Sequence, residues 1–157
     1  MLNVIPRFIQ QRRSAGENHG RLTGGVVFAD LSGFTAITER MMSQGAQGAE
    51  VLSEVINQLF RPLIRRVYDH GGFVVNFAGD AFTALLRRPG DALLLSLEIG
   101  ERFRGRGGSF RTALGDFELS CRVGAAHGTV EWGVVDVGER SVYYFRGEPQ
   151  RAAAGAI

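Results

Sequence analysis

The chain has 157 residues, with 18 basic and 16 acidic side chains and a formal net charge of +2. This near balance argues against a nucleic-acid or membrane-surface partner held by bulk charge. The hydrophobic fraction of 45% and charged fraction of 22% fit one globular domain with a single core. One cysteine, Cys121, excludes an intrachain disulfide and suits a reducing cytoplasm, and no apolar run approaches the ~20 residues of a membrane span.

Met1 to Arg13 reads as a short amphipathic arm in which Val4, Phe8 and Ile9 share a helical face for packing. The polar, glycine-rich residues 14–24 read as a linker. Arm and linker are assigned to 1–20 and the main domain to 21–157. Gly25 to Leu31 is a short apolar run typical of a buried strand. Phe34, Ile37 and Met41 recur at helical spacing. The strongest helix covers 49–70, where Val51, Val55, Leu59, Leu63 and Val67 recur every four residues; Pro62 should kink it and Gly71-Gly72 should end it. Strands at 73–77 and 81–86 flank the turn Ala78-Gly79-Asp80. Asp91 is placed to cap a helix running to Phe103. Residues 104–116 read as a loop. Strands follow at 119–130, 133–137 and 142–145, then the opening of a last helix at 148–157.

This order predicts an α+β, ferredoxin-like βαββαβ sheet with helices on one face and additional C-terminal strands. Right-handed crossovers make the first two strands parallel, with the third between them. Asp30 then ends strand one beside Asp80, which begins strand three. Two adjacent carboxylates repel unless one is protonated or a cation lies between them. Hard oxygen ligands with few protein donors suit Mg²⁺ or Mn²⁺, and such a pair at a strand edge is how two-metal phosphoryl-transfer sites are built. Gly33 and the helix start that follows offer backbone N–H groups to a phosphate. Taken singly, Asp before Ser-Gly reads more simply as a helix cap, and Gly-Asp as a type I′ turn.

The segments Phe28-Ala29-Asp30-Leu31-Ser32-Gly33-Phe34-Thr35 and Asn76-Phe77-Ala78-Gly79-Asp80-Ala81 resemble the two metal motifs of class III nucleotidyl cyclases. Gly124-Ala125-Ala126-His127-Gly128 and Tyr144-Phe145-Arg146-Gly147 resemble the later strands of that family. The resemblance spans residues 22–150 and is nearest to the first catalytic half of bicarbonate-responsive soluble adenylyl cyclases. It implies two metal ions held by Asp30, Asp80 and the Leu31 carbonyl, with phosphate received by the N–H groups of Gly33, Phe34 and Thr35. It also implies ATP as substrate, with GTP left open, and a second cyclase domain packed head to tail. The family domain continues past residue 157, so the chain reads as cut at its C-terminal end or as part of a larger protein.

The chain departs from that pattern where the family reads the base. All 18 basic residues are arginine, and the position of the base-reading lysine holds Asn76. The Asp/Thr position is Tyr144, the Asn position Arg151 and the Arg position Gly155. The resemblance therefore implies a metal-binding half that needs a complementary partner. It gives no reason for bicarbonate to bind here, because Asn76 and Ala154 (Ala153 or Gly155 if the alignment slips) cannot pair with an anion. The competing reading is a regulatory module that binds nucleotide without turnover. A ferredoxin-like RNA-binding domain would need surface aromatics on its strands. Cys121 and His127 read as strand residues packed in the core, His70 as a helix-end cation, Trp132 as a hairpin-tip or dimer contact, and Arg102, Arg104 and Arg106 as a solvated loop.

Overall fold

The computed structural model describes residues 5–138 and 140–157. A five-stranded sheet has the order β2-β3-β1-β6-β7, formed by β1 (His19–Ser32), β2 (Phe73–Ala78), β3 (Ala81–Leu86), β6 (Ser120–Val137) and β7 (Arg140–Arg146). β3 pairs antiparallel with both β1 and β2, so β1 and β2 run parallel with β3 between them, as the crossover rule requires.

Side-chain alternation along the strands divides the core. Val27 and Ala29 face α3 (Gly45–Asp69) and α4 (Pro89–Arg104), against Leu63, Val67, Leu95 and Ile99. Their neighbour Val26 faces the other way, with Phe73, Leu85, Val130 and Trp132. The expected one-sided helix layer is present, but short helices also cover the opposite face. These are α1 (Arg7–Ser14), through Phe8 and Ile9, and α5 (Glu148–Gly155), through Ala153. The arm therefore packs as its apolar spacing predicts; Val4 lies outside the described residues. α3 continues through Pro62, since Val55, Leu59, Leu63 and Val67 form one buried stripe on both sides of it.

Several expectations need correction. Residues 19–24 are strand, not linker, and pair with β6 from Gly133 to Gly128. Their glycines serve close approach: a Cβ on Gly20 would lie 2.9 Å from Trp132 Nε1. β6 is one continuous strand of 18 residues, so the expected break before Gly133 is absent. Trp132 is therefore not at a hairpin tip but in the core, 2% exposed, with its ring edge-on to Phe8 at 5.3 Å. His127 points outward and is exposed rather than packed. Asp91 lies in the first turn of α4 instead of capping it; Arg88 is the cap residue and donates to Asp91 at 2.8 Å. A carboxylate there still favours the helix dipole. The expected loop at 104–116 holds a short 3₁₀ turn and a separate hairpin, β4 (Ser109–Thr112) with β5 (Gly115–Glu118).

Trp132→Ala should cost about 3–5 kcal/mol, because it removes a buried aromatic that α1 closes over. Chemical denaturation checks this. A loss below about 1 kcal/mol would show that Trp132 is a surface contact after all.

Candidate active site

The site lies at the sheet end where β1 stops. Asp30 is opposite Ala81 in the β1–β3 ladder, so Asp80, the last residue of the β2–β3 turn, lies next to it. Strand pairing thus brings together two carboxylates far apart in sequence, at one end of neighbouring strands. Gly79 holds the turn in the left-handed region at φ +64°. Asp80 is half-buried and forms no hydrogen bond or ion pair with the described residues.

Leu31 buries its side chain against Ile37, Met41 and Leu59, which leaves only its main chain available at the site. After Ser32 the chain turns at Gly33, whose φ of +98° is strained for any residue with a Cβ. The β4–β5 hairpin seats this turn: a Cβ on Gly33 would meet the Glu118 carbonyl at 3.0 Å. Phe110 of that hairpin packs into the same cluster as Leu31 and Ile37. Gly33 caps α2 (Phe34–Met42), and Thr38 turns its hydroxyl back onto the Phe34 carbonyl at 2.9 Å. The first N–H groups of α2, from Phe34 and Thr35, have no partner within the helix and carry its positive dipole end. Helix start, Asp30 and Asp80 therefore share one end of the sheet.

Sequence reasoning missed one residue. Arg122, on β6, is the ladder partner of Asp30 and places a guanidinium nitrogen 3.1 Å from Asp30 Oδ2. The pair links residues 92 positions apart, and only the β1–β6 register reveals it. The Arg-Val-Gly run entering that strand was the available signal. Cys121, the partner of Leu31, has its thiol pushed up to about 12, first by burial and then by the negative charge of Asp30. A thiol held protonated is neither nucleophile nor metal ligand.

Among the described residues no group of three or more His, Cys, Asp or Glu side chains converges as a closed metal cage. The two neighbouring carboxylates are hard oxygen donors of the kind that suits Mg²⁺ or Mn²⁺ with a shell completed by other oxygens. The other expected positions lie elsewhere. Asn76 is exposed on β2 beside an irregularity in the β2–β3 register, and Tyr144 is exposed on β7 at the far edge of the sheet. Arg151 is held by Glu148 at 2.6 Å, and Gly155 ends α5. Beside the site, Phe77 is 51% exposed in an apolar groove of about 530 Å³ that it shares with Phe34, Phe60 and Gly79.

No protein-family model matches the chain. Its solved structural neighbours are class III adenylyl and guanylyl cyclase domains. A bacterial light-regulated adenylyl cyclase superposes with a TM-score of 0.74 at 20% identity, covering 97% of this chain and 45% of the other. The adenylyl cyclase CyaB from P. aeruginosa gives 0.58 at 19% identity, over 87% of this chain and 71% of the other. The guanylyl cyclase Cya2 gives 0.60 at 24% identity, over 88% and 70%. In sequence, human adenylate cyclase type 10 is 42% identical over 66 residues, which is 41% of this chain and 4% of the human protein. The rat protein of that name is 41% identical over 64 residues, again 4% of its length. The chain thus matches a small part of the curated relatives. No helix among the described residues is long and apolar enough to cross a membrane.

Proposed function

We propose that this chain, whose fold is that of class III cyclase catalytic domains, is the metal-binding half of an adenylate cyclase. Paired head to tail with a base-reading domain, it would convert ATP to cyclic AMP and pyrophosphate. The observation that supports this most is the meeting of Asp30 and Asp80 at one sheet end, beside the start of α2. Asp80 has no partner among the described residues, and Asp30 already draws a guanidinium, so the place attracts positive charge. Two Mg²⁺ or Mn²⁺ ions fit these donors; when bound they lower the pKa of the attacking ribose hydroxyl and neutralise the triphosphate.

Asp30, Asp80 and the Leu31 carbonyl would hold the ions. The N–H groups of Gly33, Phe34 and Thr35 would receive phosphate oxygens. The ribose 3′-hydroxyl would give its proton to water, its oxygen would bond to the α-phosphorus, and the bond from that phosphorus to the pyrophosphate oxygen would break. Arg122, released from Asp30, would meet the triphosphate with a guanidinium suited to phosphate. The adenine would be read by the partner, because Asn76, Tyr144, Arg151 and Gly155 offer nothing in its place. Phe77, half exposed next to the site, gives that partner an apolar surface to cover. A silent regulatory module is the second reading, and the departures at those four positions favour it. Asp80 weighs against it, since an unpaired, half-buried carboxylate costs stability that a module without metal has no reason to bear.

A melting series tests the nucleotide site. Mg²⁺ with ATP at about a hundred times its Kd should add about 2.7 kcal/mol to folded-state stability. That is a rise of roughly 5–10 °C for a chain of this size. EDTA should remove the rise, and GTP should reproduce it because the base readers are absent. No metal-dependent shift with either nucleotide would overturn the reading.

Arg122→Ala should separate two roles. With Mn²⁺ alone, its removal should tighten binding by up to about fivefold, since an exposed pair competing for Asp30 is worth at most ~1 kcal/mol. With ATP present, affinity for the triphosphate should fall. Manganese titration followed by electron paramagnetic resonance reads the first effect. Weaker Mn²⁺ binding in the variant would show that Arg122 does not compete for that carboxylate.

A further inference from the structure

A second cavity opens at the other end of the sheet, where α1 crosses the strands. It has a volume of about 360 Å³ and is lined by Arg7 and Arg12 of α1, Tyr68 at the end of α3, Gly71 and Gly72 before β2, and Arg87 after β3. Phe8 and Phe73, stacked at 5.1 Å, form its apolar wall. No carboxylate lines it among the described residues. Arg12 lies over the Phe8 ring and pairs with Glu17 at 3.1 Å. Arg7 and Arg87 form no ion pair with the described residues.

The two other hollows lined by several arginines differ. Arg21 and Arg146 both converge on Glu131. Between α3 and α4, Arg66 binds Glu98 and Asp69. Those hollows carry their own countercharge, and the cavity under α1 does not. Arg7 and Arg87 thus offer a dianion two guanidinium groups that no described carboxylate already holds.

We infer that this cavity binds a phosphate-bearing small molecule, at a site separate from the one proposed for ATP. Arg7 and Arg87 present planar forks whose donors match phosphate oxygens two at a time. The Tyr68 ring and the Phe8–Phe73 wall accept a less polar remainder. The volume is at the small end of the ~300–1,000 Å³ range of ligand pockets, which suits a phosphomonoester of sugar size. Thr23, also on the lining, and Asp30 share β1 and lie roughly 23 Å apart at about 3.3 Å per residue. One ligand therefore cannot occupy both places. β2 joins them: it begins at the Gly71–Gly72 turn and ends at the turn that carries Asp80.

The test is a ¹⁵N-resolved NMR titration of the 157-residue chain in metal-free buffer, with inorganic phosphate and then glucose 6-phosphate as probes. Both should shift the amides of Gly71 and Gly72 and the side-chain Nε signals of Arg7 and Arg87. The amides of Leu31 to Thr35 should stay in place. Arg7→Gln combined with Arg87→Gln should weaken binding at least about tenfold, as expected for lost charged hydrogen bonds. Arg21→Gln should leave it unchanged. Both substituted positions are exposed, so the melting temperature should not move; Arg87→Gln alone gives a second, smaller loss. Vesicles containing a phosphatidylinositol phosphate distinguish the source. Sedimentation with them, lost in the double variant, assigns the phosphate to a lipid headgroup, and its absence assigns it to a soluble ester. Absent shifts with both probes, or shifts that persist in the double variant, would overturn the proposal.

Discussion

Replacing Asp30 or Asp80 by alanine should lower cyclic nucleotide formation on the order of a thousandfold in a complex with a base-reading partner, since metal charge stabilisation is worth several kcal/mol. The fold should survive both changes. Asp80 has no hydrogen-bonding partner among the described residues to lose, and its removal relieves repulsion against its neighbour. Asp30 loses the Arg122 pair, but that pair is 24% exposed on the Asp30 side and 61% on the Arg122 side. Such pairs contribute at most ~1 kcal/mol. In metal-free buffer the melting temperature should therefore stay within a few degrees of the parent. The rise produced by metal and triphosphate should vanish in both variants. If Asp80→Ala keeps that rise, or unfolds the domain without metal, Asp80 is a structural turn residue and the two-metal reading fails.

The isolated chain should turn ATP over at background, and adding a domain that supplies a lysine, an acidic or threonine base contact, an asparagine and an arginine should restore cyclisation. Proximity and transition-state charge stabilisation are the terms that four missing groups cannot provide. A homodimer would duplicate Asp30 and Asp80 and duplicate the absence of a base reader. Purified chain with ATP and Mn²⁺, assayed for cyclic AMP alone and with the partner, decides the matter. Robust turnover by the chain alone would show that Asn76, Tyr144 and Arg151 do more than their side chains suggest.

Elements with a strong local period were legible in the sequence. The repeat from Val51 to Val67 gave the longest helix, because one buried stripe every four residues has no other regular solution. The runs before Ser32 and on each side of Gly79-Asp80 gave the three strands that carry the site. The handedness of crossovers then placed Asp30 beside Asp80 without any contact being seen. The two segments that resemble the family's metal motifs were readable for the same reason: their spacing is local, and the topology that joins them obeys a general rule.

What the sequence could not show is which distant segment each local feature meets. Residues 19–24 carry two glycines and read as part of a linker, yet pair as strand because β6 continues long enough to cover them. A glycine that admits the Trp132 ring looks the same in sequence as a glycine that frees a loop. Trp132 itself sits between glutamate and glycine, so only the arrival of α1, carrying Phe8, made it a core residue. Arg122 met Asp30 through a register set along fourteen strand positions of β1. Local periodicity encodes the kind of element and the face it buries. The partner of that face is fixed by contacts between residues far apart along the chain, such as Trp132 with Phe8 and Arg122 with Asp30.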